Sequence, residues 1–269
     1  MRNGQLSLIR EFLEENHIYE DLPDKAIHKL SYLVYKHSQD RGVDLSIPYF
    51  WYRYGVLTQQ PTSSTSEPPS PSLDSDEEET VNNVAELVLE KYYSSSLKEI
   101  TDLTYKDAPY EVFRHWRELD KQISRLQDNY NPFFDNTPIR EEIEDKIERV
   151  YDSFPVSEFP QHETDISTWY FSMIRELDMG LQNVDRLHDV NTVFWGIFTL
   201  SVAQKHRYNM TEDEVLQALG ITSFEAELKE RRSLLRRLER DGLDDRFDES
   251  NDELTATTDA VIEPVLESL

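Results

Sequence analysis

The sequence "HETD" supplies His162, Glu163 and Asp165, and "REEIEDKIE" supplies Glu141, Glu142, Glu144 and Asp145. Nitrogen and oxygen donors of these kinds bind divalent metals, and a metal held there would activate water for hydrolysis. Their spacing matches no metal signature: there is no HExxH, no GxSxG and no Gly-rich phosphate loop, and only 7 glycines are available to build one. Carboxylates this dense read as a solvated helix face. The expectation is therefore a non-enzyme with no catalytic residues, no metal and no cofactor, with a metal-dependent nuclease as the second alternative. His28 and His188 fall within helical patterns, and His115 lies beside Trp116, where packing accounts for it. A Ser, His and Asp set is recognised by geometry, so order along the chain nominates none.

Cationic chemistry has one candidate. "ELKERRSLLRRLERDG", residues 227–242, places Arg231, Arg232, Arg236, Arg237 and Arg240 on one helix after the helix-turn-helix-like "TEDEVLQALGIT". Glu227, Glu230 and Glu239 interleave with them, which also suits a structural or protein-binding helix. DNA contact through these arginines is the first alternative function. Against it stands the whole-chain charge of -26, from 54 acidic and 28 basic residues, whose field repels phosphate backbones and anionic lipid. Such acidity also suits concentrated salt, and a halophilic source is the expectation.

Aromatic chemistry concentrates in "PYFWYRYGVL", residues 48–57. Rings can fill a core, stack on bases or face a protein partner, but base stacking needs a cationic groove beside them and only Arg53 is near. There is no cysteine, so no disulfide or Cys-ligated zinc. The opening segment lacks a long apolar region, and "VFWGIFTLSVA" is shorter than the roughly 20 residues of a spanning helix. A cytoplasmic protein that contacts no membrane is expected.

The elements that must position these groups are mostly helices. Leu6, Ile9, Phe12 and Leu13 follow helical spacing, and Asp24 is placed to cap a second helix that stops near Gly42. From Leu45 to Val56 the aromatic pattern predicts an extended segment with a small sheet. Residues 58–80, rich in Ser, Pro and carboxylates, read as a disordered insertion. Val84, Leu87, Val88 and Tyr92 then resume helical spacing, and Leu97, Ile100 and Leu103 form a short element. Pro109 with Asp107 as cap opens a helix through Trp116 to "DNYNP". Thr137 and Pro138 open another with an Ile139, Ile143, Ile147 and Tyr151 stripe, and Trp169, Met173 and Leu177 mark the next. Asn191 to His206 is apolar on most sides and reads as a central helix. Thr211 with Glu214 and Thr222 with Glu225 have capping-box spacing, and Gly220 fits a helix end. Residues 243–269 read as an acidic, loosely ordered tail.

Three segments, "AIHKLSYLVYKHSQDRG", "FWYRYGV" and "VLEKYYSSSLKEITDLTYKDAPYEVFR", together resemble a Panacea domain, the antitoxin domain of the SocA-like, phage-associated protein family. The family's Lys-Leu and Trp-x-x-Tyr-Gly-Pro-like motifs correspond to Lys29, Leu30, Trp51, Tyr54 and Gly55. Its Leu-Thr-His motif, followed by Pro and Trp, corresponds to Leu103, Thr104 and Pro109. Val56 stands where Pro is usual, Tyr105 replaces the His and Tyr110 replaces the Trp. The resemblance implies a mainly helical, antitoxin-like module without catalytic residues, one that acts by binding a partner, often a toxin encoded beside it. Trp51, Tyr52, Tyr54, Gly55, Thr104, Tyr105, Pro109 and Tyr110 are the partner-binding candidates it implies, some of the rings closing the core and the others facing the partner. The expected architecture is mainly α: a Panacea-like domain over 1–117 with a short β segment, a second helical domain over 118–242, and the tail.

Overall fold

A computed structural model of the chain describes residues 3–17, 23–59, 73–92, 95–129, 137–179 and 184–244. In chain order the elements are α1 (Asn3–Asn16), α2 (Asp24–Gln39), β1 (Tyr49–Tyr52), β2 (Gly55–Thr58), α3 (Ser75–Tyr92), α4 (Leu97–Thr104) and α5 (Val112–Asn129). They continue with α6 (Thr137–Asp152), α7 (Glu163–Asp178), α8 (Val184–Lys205), β3 (Arg207–Tyr208), α9 (Glu212–Leu219) and α10 (Phe224–Asp244). The described residues are thus mainly α with a short β segment, as expected; the segment belongs to one small antiparallel sheet, ordered β2-β1-β3. Among them, no helix is long and apolar enough to cross a membrane.

The chain divides into two compact units, Met1–Ala108 with Ser201–Thr222, and Pro109–Leu200 with Ser223–Leu269. This moves the boundary expected at 117/118. Phe113 and Trp116 pull the start of α5 into the second unit, because Trp116 stacks on Trp195 at 4.3 Å and Phe113 meets it edge-on at 4.8 Å. Residues 201–222 join the first unit through β3, whose Tyr208 pairs with Tyr49 and stacks on its ring at 4.4 Å. A two-residue strand has no pattern long enough to read from sequence.

In the first unit, Leu6, Ile9 and Leu13 of α1 are buried at the predicted helical spacing. Both α1 and α2 pack against α3, so the segments on either side of residues 60–72 form one body. All four residues of β1 are buried, because α2 lies on the face that carries Tyr49 and Trp51: Tyr32 meets their rings at 5.2 and 5.7 Å. The insertion expected over 58–80 is corrected at both ends, where regular structure stands instead. Thr58 ends β2, and α3 begins at Ser75 because the Asp74 carboxylate accepts from the Asp76 and Glu77 amides while Glu77 accepts from the Asp74 amide. That reciprocal cap, with Asp76, Glu77 and Glu78 at the positive end of the helix dipole, makes the carboxylate run a helix start. Residues 60–72 lie outside the described residues.

Other local expectations shift. Pro23, extended at ψ 138°, precedes α2 directly, so Asp24 sits in the first turn and not at the cap. Ala108 is extended ahead of Pro109, as residues before proline prefer, which delays α5 to Val112 and leaves Asp107 in a short 3-10 turn. Leu87 is 49 % exposed, on the outer side of α3. The capping box at Thr211 and Glu214 forms, and Gly220 ends α9 at φ +65°. Ser223, not Thr222, caps α10, its hydroxyl accepting from the Ala226 amide. The helix runs on to Asp244, past the expected start of the tail, and residues 245–269 lie outside the described residues.

The second unit is built around α8. Residues 190–200 are all buried, and their rings meet those of α5, α7 and the segment between α6 and α7. Phe194 stacks on Trp169 of α7 at 5.1 Å. Phe198 contacts Phe113, Phe154 and Phe159 at 5.9, 4.8 and 5.3 Å. Ring pairs of this kind contribute about 0.5–1.5 kcal/mol each beyond area burial.

Candidate functional site

The motif residues of the first unit come together. Tyr105 Oη donates to the Arg53 carbonyl at 2.7 Å, and a β-carbon on Gly55 would lie 3.2 Å from Thr104 Oγ1 and 3.2 Å from the Tyr105 ring. Gly55 has φ +95°, so the hairpin end needs glycine both for its backbone and for this close approach. Trp51, Tyr52, Gly55, Thr104 and Tyr105 are buried, which removes these five partner-binding candidates from any exposed face of the folded unit. Tyr54 is half-buried, with the Arg53 and Lys25 charges each 5.8 Å from its ring centroid. Pro109 and Tyr110, also half-buried, belong to the second unit, where Tyr110 Oη donates to Glu158 at 2.7 Å and its ring meets Phe159. The eight candidates therefore do not form one surface within either unit.

A second polar cluster of the first unit joins α1, α2 and β2. Arg10 donates to the Thr58 carbonyl at 2.7 Å and to His28 Nδ1 at 3.0 Å. Burial, reinforced by the Arg10 charge, lowers the His28 pKa to about 4, so the ring is neutral and its Nδ1 accepts.

Histidine 162 and Asp165, the nominated metal donors, are instead tied to the arginine helix. His162 Nδ1 donates to Asp165 Oδ2 at 2.8 Å, and Arg232 donates to the same carboxylate at 2.9 Å and to the Gln161 carbonyl at 3.0 Å. Burial alone would raise the Asp165 carboxyl, but the His162 and Arg232 hydrogen bonds outweigh it and hold the group below the usual carboxylate range. This clasp joins α7 to α10. Glu163 is exposed beside it. Among the described residues, no group of three or more His, Asp or Glu side chains is placed to hold a metal.

Of the five nucleic-acid candidates, Arg231 is bound to Glu227 at 2.6 Å and packs over Gly196, and Arg232 is the clasp. Arg236, Arg237 and Arg240 are exposed. The two helices of the helix-turn-helix-like stretch fall in different units, α9 in the first and α10 in the second.

The most exposed large apolar side chain among the described residues is Phe171 of α7, at 68 %. Its ring meets Tyr170 edge-on at 5.5 Å, and Tyr170 meets Tyr151 of α6 at 4.7 Å, giving a continuous aromatic face across the two helices. Tyr151 is 40 % exposed, although the α6 stripe pointed it inward. Each i+4 step overshoots a turn by about 40°, so three steps from Ile139 carry Tyr151 about 120° around the helix. Tyr170 and Phe171 carried no sequence assignment. Their signal is "WYFS" itself: once Trp169 and Met173 point inward, Phe171 lies about 200° from Trp169 and must face outward.

Comparison of the chain with protein-family models, curated proteins and solved structures returned no match in any of the three.

Proposed function

We propose that this protein is a non-catalytic binding module that holds a protein partner and neutralises or recruits it, in an antitoxin-like role in the cytoplasm. The aromatic face of Tyr151, Tyr170 and Phe171 carries this reading. Exposed aromatic surface costs solvation in an isolated protein and is characteristic of the buried centre of protein interfaces. The motif order that resembles a Panacea domain supports the antitoxin role and makes a toxin encoded by a neighbouring gene the first partner to test. The surface supporting the reading is not the set of residues the resemblance implied, most of which are buried.

The test is affinity capture from native lysate with the wild-type chain and Phe171→Ser, alongside co-expression with the neighbouring genes. The reading expects a protein held by the wild type and released by the variant, and toxicity of a neighbouring gene relieved by the wild type alone. Capture of the chain alone, or of the same partner equally by both forms, contradicts it.

A further inference from the structure

The carboxylates around the aromatic face specify what it binds. Tyr170 is influenced by Glu144, Glu148 and Asp152 of α6, which share one side of that helix with Tyr151. The cations on α6 are committed elsewhere: Arg140 to Asp178 at 2.5 Å, Lys146 to Glu142 at 3.5 Å and Arg149 to Asp145 at 2.8 Å. Among the described residues, Glu144, Glu148 and Asp152 form no ion pair. The ring faces and the three carboxylates thus offer negative potential on one patch, in a chain that already carries -26.

Resting on the binding-module reading, we infer that the aromatic face of α6 and α7 docks a cationic segment of the partner protein, an arginine- or lysine-bearing stretch with interspersed apolar residues. Its aliphatic or planar side chains lie on Phe171 and Tyr170, and its charges meet Glu144, Glu148 and Asp152. An arginine serves best, because the guanidinium stacks on a ring while its edge donates to a carboxylate. An anionic segment or a nucleic acid would meet like charge on the same patch.

Fluorescence anisotropy of a short labelled peptide of alternating arginine and leucine tests this with the full-length chain. A glutamate–leucine peptide serves as its mirror. Binding is expected for the cationic peptide alone, weakened by about tenfold in Phe171→Ser and again by about tenfold in Glu144→Gln/Glu148→Gln. The exposed pair Glu225→Gln/Glu230→Gln on α10 removes the same charge away from the face and should change binding by less than about twofold. Circular dichroism of each variant verifies folding; Phe171 is exposed, and its loss leaves the core intact. The inference is overturned if the α10 control weakens binding as much as the α6 pair, if the anionic peptide binds equally well, or if self-association of the chain blocks the face. A partner captured in a Phe171-dependent way that is indifferent to Glu144→Gln/Glu148→Gln would sink the cationic segment and leave the binding module standing. A partner indifferent to Phe171 would sink the module itself.

Discussion

Replacing His28 with Asn should flatten the acid side of the stability profile of the first unit. In the folded unit the ring is held neutral, with its pKa at about 4, by burial and by the Arg10 guanidinium that donates to Nδ1. Unfolded, the same ring titrates near 6.5. Because the folded value is the lower one, the stabilisation is fully present above pH 6.5 and is lost as pH falls towards 4, where the unfolded chain takes up a proton that the folded unit refuses. The complete difference is worth about 3 kcal/mol, of which about 2 kcal/mol is gone by pH 5. Asn keeps an oxygen to accept from Arg10 but cannot titrate. Urea unfolding read by pulsed hydrogen exchange over residues 24–39 and 49–58, at pH 7.5 and pH 5, isolates this unit from the other. The wild type should lose about 2 kcal/mol more than His28→Asn between the two pH values. Equal losses would refute the reasoning, since they would mean that His28 is protonated alike in both states.

Gly55→Ala should destabilise the first unit by about 2 kcal/mol, because φ +95° is strained for alanine and its methyl presses on Thr104 and Tyr105; urea titration over the same segments measures it. Asp165→Asn should cost the second unit about 3 kcal/mol by leaving Arg232 beside a neutral, partly buried amide. With its folded pKa lowered, Asp165 stabilises above the usual carboxylate range and that contribution is lost as pH falls through the folded value, so the gap between wild type and variant should close in acid. The charge of -26 should make the midpoint of thermal unfolding rise between dilute buffer and molar KCl, and an unchanged midpoint would remove the halophilic reading.

The mainly helical class was legible because burial follows 3.6-residue spacing, as at Leu6, Ile9 and Leu13, and because the stretch that is apolar on most sides, in α8, is buried on all of them. Local chemistry was legible where one motif had one meaning, as with Thr211, Glu214 and Gly220 around α9. It failed where composition pointed two ways: the carboxylates after Asp74 are both disorder-prone and ideal at a helix start, and only the reciprocal cap decides between them. Unit boundaries were not legible. Trp116 and Tyr208 are assigned by rings distant in sequence, Trp195 and Tyr49, that no local pattern announces. The site suffered most, because an aromatic-rich hairpin and an outward aromatic pair look alike in sequence. Burial separates Trp51 and Tyr52 from Phe171.

Hydrogen exchange of the whole chain with and without a protein captured from lysate tests the proposed binding face directly. Protection should appear over residues 144–152 of α6 and 167–174 of α7 and disappear with Phe171→Ser. Protection confined to residues 227–242, or to the first unit, with α6 and α7 exchanging as in the free protein, would contradict the assignment of this face as the binding surface.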